Sequence, residues 1–299
     1  MARRLRSRPT AWISAVVVVA LTVVVGVLAV VAIDRSRPAP ADESLAPIPT
    51  FGAVSPQPTS TPTPTIAPVT PVARAEERFL TVSSEGVLWR GIAGSCADGI
   101  APLIERSADG GDSWNDVTPL YLGITQIARL DAFAGTQAQT VALYEDCAVD
   151  GLRTFTQGRF WESYEEVLAT SAFIGGDDAG QVVTPDGAIG APCTEARALR
   201  GDGDTVALIC DAQAFALVDD EWEAFGIVGA VAVAVDGATV LVAHVSSDCA
   251  GLALSTVTDG ATSAATCVED TDVAAPTAIA LADSSAFVWN GEAFITVPL

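Results

Sequence analysis

The sequence predicts an all-β protein: a β-propeller of about six irregular blades, preceded by one transmembrane helix and a disordered Pro/Thr-rich stalk. Three observations predict it. After Ala75, short runs of β-branched residues alternate with Gly, Asp and Asn turns. Several of those runs repeat and lead into a cysteine. Before Ala75, an uncharged apolar stretch is followed by a proline-dense one.

The first element is a tail over residues 1–10 that carries Arg3, Arg4, Arg6 and Arg8. Residues 11–33 (AWISAVVVVALTVVVGVLAVVAI) then hold no charge. At 1.5 Å per residue this suffices to cross a hydrocarbon core of about 30 Å. The four arginines outweigh Arg35 and Arg37 on the far side, so the positive-inside rule places the tail in the cytoplasm and everything after Asp34 outside. The competing reading is a cleavable signal peptide, whose apolar core is shorter, with a cut near Ala29–Ala32. Both readings export the rest of the chain. The expected location is therefore the cell membrane, single-pass, with the C-terminal domain extracellular.

Residues 34–74 form the stalk. Ten of the seventeen prolines fall between Arg37 and Pro71. Missing amide donors at that density stop both helix and sheet. An extended, polyproline-like spacer of roughly 100 Å at most is expected. Thr59, Thr61, Thr63, Thr65 and Thr70 give it the composition of O-glycosylated stalks, with unmodified linker as the alternative.

Residues 75–299 are the extracytoplasmic domain. The runs RFLTVSS, GVLWRGIAG, TVALYEDC, TVALIC, AVAVAV, TVLVAHV, AIALAD and AFVWN read as strands. Asp109-Gly110-Gly111, Asp186-Gly187, Asp236-Gly237, Asp259-Gly260 and Asn290-Gly291 read as their turns. Taking the second strand of each unit, TVAL at Thr140 leads to Cys147, TVAL at Thr205 to Cys210, and TVLV at Thr239 to Cys249. GVLW at Gly86 leads to Cys96, QVV at Gln181 less regularly to Cys193, and AFVW at Ala286 has no cysteine. The spacing, about 24 to about 54 residues, loosely matches propeller blades. A pair of β-sandwiches is the alternative fold.

Ser107 to Trp114 reads SADGGDSW. This matches the S-x-D-x-G-x-[ST]-W pattern, so the domain resembles the Asp-box (BNR-repeat) β-propellers, which include sialidases, sortilin-type receptors and photosystem II assembly factors. The resemblance implies a hairpin between the third and fourth strands of a blade, with structural roles for Ser107, Asp109, Gly111, Ser113 and Trp114. Asp109 would accept turn amides, Gly111 would permit a positive φ, and Trp114 would pack between blades. QGRFWES at Gln157, DDEWEAF at Asp219 and TDGATSA at Thr258 occupy matching hairpins without the Ser-x-Asp-x-Gly core. The strand near Phe79 is expected to complete the last blade beside Phe294–Val297, as such rings often close.

All six cysteines, Cys96, Cys147, Cys193, Cys210, Cys249 and Cys267, follow the apolar segment. An even number in an exported domain predicts disulfides. Of fifteen pairings, neighbours in sequence are favoured: Cys96 with Cys147, Cys193 with Cys210, and Cys249 with Cys267. Zinc is disfavoured, because there is no C-x-x-C and the sole histidine, His244, sits in an apolar strand.

Composition narrows function. Fifteen basic residues, all Arg, face thirty-seven acidic ones. Such a surface repels phosphate polymers, so no nucleic-acid partner is expected. No sialidase arginine triad is recognisable, and Tyr164 beside Glu165 and Glu166 reads as a polar strand end. Asp202 and Asp204, and Asp177 with Asp178, could pair on calcium but read better as turns. No catalytic residue, metal or cofactor is assigned. The expected function is a membrane-anchored binding module for an envelope protein or polysaccharide. A surface glycoside hydrolase and an envelope assembly factor are the alternatives.

Overall fold

The computed structural model describes residues 69–176, 178–282 and 284–299. The predicted tail, membrane segment and most of the stalk lie outside the described residues. Among those described, no helix is long and apolar enough to cross a membrane.

The chain builds six antiparallel sheets in sequence order. Blade 1 holds β1 (Arg78–Val82), β2 (Leu88–Ile92), β3 (Leu103–Ser107) and β4 (Asn115–Asp116). Blade 2 holds β5 (Gln126–Ala134), β6 (Gln137–Leu143), β7 (Val149–Thr154) and β8 (Glu162–Ser163). A short helix, α1 (Glu165–Ala169), leads to blade 3, with β9 (Phe173–Ile174), β10 (Gln181–Thr184) and β11 (Gly187–Gly190). Blade 4 holds β12 (Arg197–Asp202), β13 (Thr205–Cys210), β14 (Gln213–Val218) and β15 (Glu221–Val228). Blade 5 holds β16 (Ala230–Asp236), β17 (Thr239–Val245), β18 (Leu252–Thr258), β19 (Ala261–Thr262) and β20 (Thr266–Val268). Blade 6 closes the order with β21 (Thr277–Ala282), β22 (Ser285–Asn290) and β23 (Ala293–Pro298).

These sheets form a closed ring because each buries one apolar face against the next. Blades 1 and 2 share Trp89, Ile104, Ile127 and Trp161. Val141 packs with Val167 and Phe173 between blades 2 and 3, and Val182 with Leu208 between blades 3 and 4. Ile209 meets Val242 between blades 4 and 5, and Leu241 meets Val288 between blades 5 and 6. The sixth interface joins the ends of the chain, with Leu80 of β1 against Ala278, Ala280 and Trp289 of blade 6. Six interfaces with six cores define a six-bladed β-propeller, and the sandwich alternative falls.

One expectation needs correction. Blade 6 has three strands, and β1 pairs with β2 in its own sheet rather than with β23. The seam is held by packing and arginine contacts, not by strand exchange. Tyr164, expected at a polar strand end, directly follows the exposed strand β8 in extended backbone, and Glu165 and Glu166 then open α1.

Blade 3 is the irregular one. The inner strands β1, β5, β12, β16 and β21 all start at one end of the ring, here termed the leading face, and finish at the trailing face. In β9 the order is reversed. Gly175 and Gly176, which follow it, sit at the leading face beside Arg74 and the Cys96–Cys147 bridge, whereas Ala172, which precedes it, reaches toward the trailing side to meet Arg129. This reversal explains why QVV at Gln181 aligned poorly with the other second strands.

The β14–β15 hairpin turns through Asp219 and Asp220, both at positive φ (48° and 64°). A two-residue turn of this geometry prefers Asp-Gly, since a Cβ is strained there. Asp220→Gly is expected to raise stability by about 0.5–1 kcal/mol, read as a higher denaturation midpoint at unchanged denaturant slope.

Candidate functional site

The arginines organise the centre of the ring. Arg200, on inner strand β12, projects across the axis. Its guanidinium donates to the carbonyls of Arg78 (2.5 Å) and Leu199 (2.7 Å), lies 3.8 Å from Glu77 Oε1, and stacks 4.5 Å over the Phe79 ring. Burial lowers its pKa, and Glu77 opposes that shift. Glu77 also accepts the Ala198 amide at 3.0 Å. Arg200 and Glu77 together stopper the axis and leave a separate mouth at each face.

The leading-face mouth is a cavity of about 660 Å³. Val72, Ala198, Ile209, Ala230 and Val231 make its wall apolar, and Glu77, Glu195 and Asp211 are the carboxylates that line it. Residues Val69–Val72 cross this mouth, fixed where Arg197 donates to the Val72 carbonyl. The trailing-face mouth is a smaller funnel of about 280 Å³. Its wall comes from β1, β5, β12, β16 and β21 together with Gln139 of β6. No strand of blade 3 lines it, and the two-residue β9 stops short of Phe133 and Phe155 on blade 2, a step termed here the notch.

A row of polar side chains runs from the funnel into that notch. Arg129 donates to the Asp131 carboxylate and to the carbonyls of Ala172 (3.2 Å) and Gly201 (2.7 Å). The Gln139 amide stands 3.5 Å from Asp131, and Arg153 donates to Gln139 Oε1 at 2.8 Å. Strand pairing sets this row, since Asp131, Gln139 and Arg153 lie directly opposite one another on β5, β6 and β7. The Arg153 guanidinium is 5.4 Å from the rings of both Phe133 and Tyr164. Tyr164 in turn meets Phe155 edge-on at 5.8 Å. Phe133 and Phe155 remain exposed, at 39% and 47%.

None of this was visible in the sequence. An Arg, Asp or Gln within a strand reads as a solvent-facing residue, and only the pairing register puts the three in one row.

Ser107–Trp114 forms the β3–β4 hairpin. Asp109 accepts from the Ser107 hydroxyl (2.7 Å), the Ser113 amide (3.0 Å) and the Ser113 hydroxyl. The Gly111 amide donates to Ser107 Oγ at 2.9 Å, and Gly111 has φ +99°. A Cβ at Gly111 would strike Phe294 of blade 6. Trp114 stacks edge-on against that phenyl at 5.4 Å, with Arg90 4.1 Å over its indole. The hairpin thus helps hold the blade 6 to blade 1 seam.

Hydrogen bonds from Ser113 and Ser107 pull the Asp109 pKa down from 3.8 to about 2. A depressed carboxylate stabilises the folded state above its unfolded pKa, and that gain disappears as pH falls through the folded value. The stability gap between the parent and Asp109→Asn is therefore expected to be constant above about pH 4 and to close toward pH 2. Denaturant titrations at several pH values would measure it.

No family model matches this chain, and no curated protein does. Among solved structures, the PQQ-bound aldose sugar dehydrogenase of Streptomyces coelicolor aligns at 10% identity, covering 78% of this chain and 97% of that one, with a TM-score of 0.47. The Aleuria aurantia lectin, crystallised with a fucosyl-GlcNAc ligand, aligns at 8% identity, covering 75% and 95%, with a TM-score of 0.46. YCF48 bound to a D1 peptide aligns at 13% identity, covering 74% and 76%, with a TM-score of 0.40.

Most of the remaining sequence candidates make local or inter-blade contacts. Cys96–Cys147 joins loops of blades 1 and 2, while Cys193–Cys210 and Cys249–Cys267 close shorter loops. These are the pairs that neighbours in sequence would form. His244 on β17 lies 3.1 Å from Ser255 Oγ, and burial lowers its pKa. Asp202 accepts the Gly237 amide at 2.8 Å, which links blades 4 and 5. Asp177 lies outside the described residues. Among the described residues, no group of three or more His, Cys, Asp or Glu is placed to hold a metal ion.

Proposed function

We propose that this chain is a membrane-anchored, extracytoplasmic binding module, an Asp-box-type propeller that presents its trailing face to a protein or polysaccharide of the cell envelope. One observation carries the reading: the polypeptide enters the ring across the leading face, where Val69–Val72 lie over the mouth. A tether leaving there turns the opposite face outward, and that face bears the funnel, the notch and the exposed phenyl rings. The acidic chain, with net charge −22, would keep anionic polymers away.

Two measurements test it. A tag after Leu299 should be cut by protease added to intact cells; full protection would overturn the topology. The full chain in detergent should capture a saturable partner from envelope polysaccharide or solubilised envelope protein.

The hydrolase alternative is favoured by the three carboxylates of the leading-face cavity, since glycosidases act through a carboxyl pair. Glu77, however, is committed to Arg200 and to the Ala198 amide. Release of sugar from a wall fraction would put this alternative first. Stoichiometric co-purification with one membrane complex would instead favour an assembly factor.

A further inference from the structure

We infer that the notch over blade 3 is a binding groove for a neutral glycan. The inference rests on the binding-module reading and names its ligand class.

Three features converge there. First, β9 is only two residues long and pairs no further than Phe173 with Val183, so blade 3 covers blade 2 as far as Val141 and Arg129 and leaves Phe133 and Phe155 open. Phe133 and Phe155 stay open to solvent on the face that carries the polar row. Secondly, the row supplies donors and acceptors side by side. The Arg153 and Gln139 nitrogens donate, and Asp131 and the Gln139 carbonyl accept. A sugar hydroxyl both donates and accepts, so paired planar groups of this kind suit it better than they suit a simple ion. Thirdly, the rings are rigidly placed. Arg153 lies near Phe133 and Tyr164 at 5.4 Å each, and Tyr164 braces Phe155.

A pyranose offers an apolar C–H face for a phenyl ring and equatorial hydroxyls for the row, the mixture of apolar lining and few fixed polar groups typical of small-ligand sites. The charges there balance, Asp131, Asp202 and Asp236 against Arg129, Arg153 and Arg200, and each arginine is already hydrogen-bonded within the protein, so no net field draws in uronic acids, phosphates or sialic acids.

The test uses the full chain in a zwitterionic detergent, which carries no sugar head group, against neutral gluco-, manno-, galacto- and arabino-oligosaccharides, with sialylated and uronic-acid oligosaccharides as controls. The expected result is saturable binding of at least one neutral probe. Phe133→Ala and Gln139→Ala should each weaken it about tenfold or more. Ile100→Ala, which trims an exposed apolar side chain in the β2–β3 loop of blade 1 near the leading-face Cys96, should leave it unchanged. Circular dichroism and unaltered disulfides establish that each variant folds. Three outcomes overturn the inference: no neutral probe binds, only the anionic controls bind, or binding survives both notch substitutions. Capture of an envelope protein without any glycan would sink the glycan assignment while leaving the binding-module reading standing.

Discussion

Replacing Arg200 by alanine is expected to lower stability by about 3–5 kcal/mol, the usual cost of removing one partner from a buried ion pair. For a domain of this size the melting temperature should fall by roughly 10 °C. The loss has several sources. Two carbonyls lose their donor, the Phe79 ring loses its stacking partner, and Glu77 is left facing the axis without its cation. Adding Glu77→Gln to Arg200→Ala should restore part of the stability, because the orphaned carboxylate is gone. Failure of the double variant to recover would mean that Arg200 acts through its carbonyl contacts and packing rather than through the ion pair. Arg200→Lys should also destabilise, since an ammonium cannot reach carbonyls on two blades and cover a ring at once.

The second large effect concerns the disulfides. Converting Cys96 and Cys147 together to serine is expected to cost about 4 kcal/mol, against about 3 kcal/mol for Cys193 with Cys210. The difference follows from loop length, 51 residues against 17, because the longer loop gives the unfolded chain more freedom once it is released. Denaturant midpoints of the two double-serine variants, compared with the oxidised parent, measure it. An inverted order would show that the longer loop keeps residual structure in the unfolded state, which would limit the entropy it regains.

Much of the ring could be read before any coordinates. The second strand of a blade lies between two neighbours and is covered on both faces, so TVAL, TVLV and AFVW appear as unbroken apolar runs. Their phasing placed five blades well. The SADGGDSW hairpin was legible because its hydrogen bonds are local, within seven residues.

Other features depended on distant contacts and left no local mark. In β5 the sequence QIARLDAFA is broken by two register shifts and carries Arg129 and Asp131 toward the axis, so its alternation is blurred. Helix α1 is five residues long, below any detectable period. Blade 3 has a reversed inner strand, so no alignment to its siblings could find it. The expected strand exchange at the seam failed for a physical reason: β1 is already satisfied by β2, and the seam is held by Arg78 donating to the Gly291 carbonyl at 2.5 Å and by Arg90 lying between Trp114 and Trp289.

The way the chain enters the ring also decides how the molecule carries mechanical load. Tension applied from the amino-terminal side reaches Val72 and Arg74 before it reaches β1. Val72 is gripped by Arg197 of blade 4, and Arg74 donates to the Gly175 carbonyl of blade 3 at 3.4 Å. A pull is therefore shared with the side of the ring opposite the seam, loading those contacts in parallel with the β1–β2 ladder. Cutting the Arg197 and Arg74 contacts would concentrate the same force on β1, the strand that borders the seam, and the ring would peel open at lower force.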